Sequence, residues 1–132
     1  MNRIPTRIGI LVLVALAAIA IAGCGGSTAP SVVTKVDAAK AVAMLGSRTV
    51  IDVRTPAEYA AGHIAGAQNI DVEAAGFGAK IATLDKKAPY LVYCHSGRRS
   101  GIAASQMAAA GFTDIVDGGA MADLVAAGAP TQ

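Results

Sequence analysis

Residues 8–23, IGILVLVALAAIAIAG, form one unbroken apolar run, and no comparable run recurs in the 132-residue chain. Beyond it, hydrophobic residues arrive in short bursts, most of them followed by a stretch with helical spacing. Val32-Val33 predicts a short strand, and Asp37 then caps a helix AAKAVAML that stops at Gly46. TVIDV, residues 49–53, predicts the next strand. Thr55-Pro56-Ala57-Glu58 supplies a capping threonine, a proline at the first helical position and a glutamate at the third, so a short helix runs through Ala61 and stops at Gly62. Ala67–Ile70 predicts a strand, and Glu73–Leu84 a helix weakened by Gly76 and Gly78. Pro89–Cys94 has the apolar and aromatic content of a buried strand. It leads to a helix over Ser100–Ala110 with a stop at Gly111, a strand at Asp114–Val116 and a last helix at Met121–Ala127.

Strands alternating with helices predict an α/β fold, a mostly parallel sheet of about five strands flanked by helices on both faces. Residues 32–130 form one domain of modest core size. With no tryptophan and 4% aromatic residues, its packing has to come from Val, Ile, Leu and close alanine contacts.

The opening segment does not belong to that domain. Arg3 and Arg7 precede the apolar run, which is the layout of a secretory signal, and the run is short of the roughly 20 residues a spanning helix needs. Ile21-Ala22-Gly23-Cys24 at its foot resembles the bacterial lipobox, so residues 1–23 are expected to be removed and Cys24 to be lipidated. GGSTAPS, residues 25–31, has the small polar composition of a tether. Gly25 stands where an inner-membrane retention aspartate of the enterobacterial kind would be. The expected location is the cell envelope, outside the cytoplasm, with the lipid holding the protein to a bacterial membrane. Loss of Arg3 and Arg7 changes the charge argument. The whole chain has 11 Lys and Arg against 9 Asp and Glu, but the mature chain has nine of each and is neutral. No basic stripe with interleaved aromatics is present, so nucleic acid is not an expected partner. With Cys24 lipidated, Cys94 is left as a lone thiol in an oxidising compartment.

That thiol heads the segment CHSGRRS, residues 94–100, where a strand hands over to a helix. In open α/β sheets ligands gather at the carboxyl ends of strands. A helix N-terminus favours anions, and thiols placed there ionise with pKa values of roughly 3.5 to 7.5 rather than about 8.5. Gly97 lets the backbone curl so that the N–H groups of His95, Ser96, Gly97, Arg98, Arg99 and Ser100 can point inward, and Arg98 and Arg99 add positive charge. His95 is a poor partner for a Cys–His dyad, because adjacent residues leaving a strand point apart.

CHSGRRS resembles the active-site loop of the rhodanese family of sulfurtransferases, Cys-x-x-Gly-x-Arg. IDVRTPAEYAAGHIAGAQNI and DGGAMADLVAAGAP resemble two further signatures of that family, in the right order across residues 32–130. The resemblance implies a rhodanese-like fold in which Cys94 takes a sulfane sulfur as a persulfide, cradled by the N–H groups of residues 95–100, with Arg99 facing an anionic donor. It implies that Asp52 and Arg54 fix the loop region through hydrogen bonds and ion pairing, and that His63 braces the same loop. It also implies a small-molecule sulfur donor such as thiosulfate, cyanide or a thiol as acceptor, and neither a metal nor an organic cofactor. Two departures stand out: Leu124 occupies the place of a common tryptophan in the final helix, and Ala120 follows the Gly-Gly pair without bulk.

Two other functions compete. Phosphatases with a Cys-x5-Arg loop place the arginine six residues after the cysteine, where this chain has Ser100; Arg99 comes five after, so the loop is one residue short for phosphate. A tethered module that senses sulfur or redox state, with little turnover, would also use an accessible reactive thiol.

Overall fold

β-branched and aromatic residues concentrate in the segments that form strands, as expected for side chains that suit a pleated surface. In the computed structural model, which describes residues 32–132, five strands and five helices alternate: β1 Val33–Lys35, α1 Ala38–Met44, β2 Thr49–Asp52, α2 Pro56–Ala60, β3 Gln68–Asn69, α3 Phe77–Ile81, β4 Tyr90–Cys94, α4 Arg98–Ala109, β5 Ile115–Ala120 and α5 Met121–Ala126. The apolar run, Cys24 and the tether lie outside the described residues. Among the described residues no helix is long and apolar enough to cross a membrane.

The strands form one sheet in the order β1-β5-β4-β2-β3, and every pairing is parallel. Parallel sheets bury both faces, and all five residues of β4 are buried. The period-two alternation then divides the core. Ile51, Val53, Val92 and Cys94 share a cluster with Phe77 and Ile81 of α3 and Ala103, Ala104 and Met107 of α4. Val50, Leu91, Tyr93 and Val116 pack with Ala41 of α1 and Leu124 of α5 on the other face. The expected architecture, a parallel five-stranded sheet with helices on both faces, is the one observed. Leu124, at the position where the resemblance leads one to expect tryptophan, is fully buried in the second layer.

Three elements differ from their sequence reading. The helix expected over Glu73–Leu84 is confined to Phe77–Ile81, because Gly76 stands at its N-cap and turns occupy the residues before it. β5 runs on from Val116 through Asp117-Gly118-Gly119 to Ala120, although Asp and Gly are poor strand formers. It is held between β1 and β4, whose ladders outweigh local propensity. Finally, α4 begins at Arg98 and not at Ser100, which moves Arg98, Arg99 and Ser100 out of the loop and into a first helical turn.

Candidate active site

Cys94 is the last residue of β4, fully buried, and pairs in register with Ala120 at the end of β5. The chain leaves the sheet through His95 and Ser96, both exposed, and turns at Gly97, whose φ of 88° lies in the left-handed region that favours glycine. That turn aims the Gly97 N–H at Cys94 Sγ, 3.0 Å away. No side chain caps the first turn of α4, so its leading N–H groups are not taken up by a capping residue. A hydrogen-bond donor thus meets the sulfur, and a helix N-terminus, a place that suits a bound anion, lies just beyond it.

The other residues of the segment have separate tasks. Ser100 is buried, and its hydroxyl donates to Asp117 Oδ1 at 2.7 Å while lying 3.1 Å from the Gly97 carbonyl. The same Asp117 oxygen accepts the Gly119 N–H at 3.0 Å. This buried carboxylate therefore ties the first turn of α4 to β5. Gly97 sits directly on that strand: a Cβ built on it would lie 3.6 Å from Gly119 Cα, an ordinary contact.

Arg99 does not point freely at a donor. Its Nη2 and Nη1 donate to Glu58 Oε1 and Oε2 at 2.7 and 2.8 Å, and Nη1 reaches Glu73 Oε2 at 3.2 Å. The Arg99 hydrogen bonds hold the Glu58 carboxyl down at about 2, and Glu58 in turn raises Arg99 above the ordinary arginine value. Glu58 also closes the capping box on Thr55, as its spacing predicts. Arg98, by contrast, is exposed and has no ion-pair partner among the described residues.

Asp52 and Arg54 form a buried knot at the end of β2. Arg54 Nε and Nη2 meet the Asp52 carboxylate at distances of 2.6 to 3.0 Å, and the Arg54 N–H donates to Asp52 Oδ1 at 2.9 Å. Arg54 Nη2 also donates to the Gly62 carbonyl at 2.7 Å. The Tyr93 hydroxyl donates to Asp52 Oδ2 at 2.7 Å and accepts the Ile64 N–H at 3.0 Å, and the Asn69 amide donates to the carbonyls of Asp52 and Arg54. The hydrogen bond from Arg54 to Asp52 raises the arginine's pKa further. The knot joins β2, β4, β3 and the loop after α2.

His63 belongs to that loop but braces a different part of the chain from Cys94. Its ring stacks on Tyr59 with centroids 3.6 Å apart, and Nδ1 lies 3.0 Å from the Tyr59 carbonyl, which assigns the proton to Nδ1. Nε2 is 3.1 Å from the Gln132 amide, and the His63 and Gln132 backbones exchange two hydrogen bonds at 2.9 Å.

The sequence reading missed Glu73, Asp117 and Tyr93. Asp117 carried a signal, since a charged residue amid β-branched strand residues has to find a partner when buried. Glu73 meets Arg99 from 26 residues away, and nothing local foretells that.

Two hollows flank the Cys94 loop. One, about 460 Å³, lies against His95, Gly62, Met121 and Val125; the other, about 360 Å³, against Ser96, Gly97, Gly119, Lys35 and Asp123.

Comparison with known proteins matches residues 37–122 to the Rhodanese-like domain. A thiosulfate sulfurtransferase GlpE of Pseudomonas fluorescens (strain SBW25) is 44% identical over 73 residues, which are 53% of this chain and 64% of that protein. The chain thus spans less than two thirds of that relative's length. Among solved structures, the Rhodanese-like domain of the Anabaena sp. Alr3790 protein superposes with a TM-score of 0.67 at 27% identity, covering 74% of this chain and 77% of the other. A structure described as a rhodanese with anions from E. coli gives 0.55 at 32% identity, covering 64% and 96%.

Proposed function

The chain belongs to the rhodanese-like family, and from that premise we propose that it is a sulfurtransferase whose sulfur passes through Cys94. The Cys94 thiolate attacks the outer sulfur of thiosulfate or a related donor. The donor's S–S bond breaks, sulfite leaves with the electron pair, and Cys94 keeps a persulfide. Cyanide or a thiolate then attacks the outer sulfur, the Cys94 bond breaks, and the thiolate returns with thiocyanate or an acceptor persulfide as product. Charge and electrons balance in both steps, and the scheme uses no metal or organic cofactor.

The Gly97 N–H on Cys94 Sγ, at the head of an uncapped helix, is the observation that carries this reading. The loop's backbone N–H groups are assigned the persulfide. The free Arg98, and not only the carboxylate-bound Arg99, is assigned the donor's charge. Asp52 and Arg54 act as support for the loop, and the anions named for the E. coli relative agree with such a receptor. Cys24, carrying lipid, would hold the domain to a bacterial membrane, outside the cytoplasm.

Intact mass with and without thiosulfate tests the reading. A gain of about 32 Da (one sulfur) that cyanide removes and that Cys94→Ser lacks is expected. A folded protein with a titratable thiol and no adduct would sink it. The full burial of Cys94 weighs against the second reading, a tethered sulfur or redox sensor with little turnover, which would use an accessible thiol. An adduct that forms but passes to no acceptor would select it.

A further inference from the structure

The hollow of about 360 Å³ beside Ser96 and Gly97 has contents that the two steps above do not use. It lies against the end of β5, where Gly119 has open space in place of a side chain, and its lining carries one cation, Lys35, and two carboxylates, Asp37 and Asp123. Asp37 is partly engaged, since Oδ1 accepts the Lys40 N–H at 2.8 Å. Lys35 and Asp123 have no ion-pair partner among the described residues. Three contacts bring this hollow to the sulfur. Cys94 pairs with Ala120, Gly97 lies against Gly119, and the Gly97 N–H meets Sγ at 3.0 Å.

An unpaired cation and an unpaired anion lining one small hollow complement a ligand that carries both charges. We infer that this hollow seats the head group of the sulfur acceptor, a thiol of the α-amino acid class, with Lys35 meeting its carboxylate and Asp123 its ammonium. The inference rests on the sulfurtransferase reading for its chemistry. The acceptor thiolate attacks the outer sulfur of the Cys94 persulfide, the Cys94 S–S bond breaks, and its electron pair returns to Sγ. The product is the persulfide of the amino-acid thiol, and no oxidant is consumed. The volume lies at the small end of ligand sites, which suits an acceptor of this size. The other hollow, against Met121 and Val125, is also lined by Arg54 and Glu58, but both of these charges are already engaged, by Asp52 and Arg99.

Two measurements test it. S-methyl-L-cysteine, which has the head group but no thiol, is titrated into Cys94→Ser protein while backbone amide signals are followed. Saturable shifts are expected at Lys35, Ser96, Gly97 and Gly118–Ala120; their absence overturns the inference. The second measurement discharges persulfide-loaded protein with cysteine, 3-mercaptopropionate, cysteamine and cyanide. Relative to cyanide, Lys35→Gln is expected to slow cysteine and 3-mercaptopropionate about two- to five-fold, the range of a solvent-exposed ion pair, while sparing cysteamine. Asp123→Asn is expected to slow cysteine and cysteamine and to spare 3-mercaptopropionate. Equal slowing of all three thiols, or none, overturns the assignment. S-methylcysteine binding by a protein that never loads sulfur would sustain the head-group site while removing the sulfurtransferase reading.

Discussion

Tyr93→Phe removes one oxygen from the buried knot at the end of β2, and the structure sets the size of the effect. The ring is fully buried and stays in place, so packing is nearly conserved. The Asp52 carboxylate keeps Arg54 but loses its 2.7 Å bond from the phenol, a charge-assisted bond of about 1.5–3 kcal/mol. The Ile64 N–H, on a fully buried residue, loses its acceptor, which costs about 1–3 kcal/mol. Some relaxation will recover part of this, so a loss of about 3 kcal/mol is expected, a large share of the 5–15 kcal/mol typical of domain stability. Tyr90→Phe is the control. That ring is buried as well, but its hydroxyl donates at 2.8 Å to the carbonyl of exposed Asp85, which water can satisfy, so about 1 kcal/mol is expected. Burial raises the pKa of both phenols, for Tyr93 with a further push from Asp52, so both remain protonated donors through the neutral range. Urea unfolding of the two variants and the parent, compared by midpoint at unchanged slope, measures the difference. Equal losses, or a Tyr93→Phe loss under about 1 kcal/mol, would refute the argument that the knot is held by the phenol.

Gly97→Ala meets no clash, but it forces a side chain into a left-handed conformation at about 1–2 kcal/mol. The same unfolding assay should show that loss, and loading with thiosulfate should slow, because the N–H on Sγ is displaced. Parent-like loading with parent-like stability would show that the turn is not needed. The Glu58 carboxyl is held at about 2 by its hydrogen bonds from Arg99, below an unfolded value near 4.5. Its contribution is therefore complete above pH 4.5 and lost as pH falls towards 2. Glu58→Gln should flatten the stability profile across that window, by about 1 kcal/mol for a pair still partly open to solvent. A profile of unchanged slope would mean that Arg99 holds Glu58 no better in the folded than in the unfolded chain.

The alternation of strands and helices could be read from the chain because each element carries its own local signal. Thr55 to Glu58 closes the capping box its spacing announces, and Asp37 caps α1 as expected. What could not be read depends on contacts between distant residues. Ser100 has the composition of a helix cap, yet its hydroxyl belongs to Asp117 on β5, and the helix begins at Arg98 behind a left-handed glycine. Glu58 has a complete local explanation in the capping box, which conceals its second partner 41 residues on. The segment around Cys94 was legible as a cluster of residue types. Which arginine is engaged and which is free was not, because that depends on where α2 and the loop before α3 come to rest.

The burial of Cys94 also determines when the protein is chemically conspicuous. With Sγ enclosed and hydrogen-bonded to Gly97, the resting thiol is kept from passing oxidants, which matters for a lone cysteine expected outside the cytoplasm. One added sulfur extends the side chain by a bond of about 2.05 Å, so the transferable atom stands farther from the backbone than the buried Sγ. The proposed cargo would therefore be the part of the side chain that other molecules meet. The protein would keep its own sulfur hidden and present only the one it is to give away.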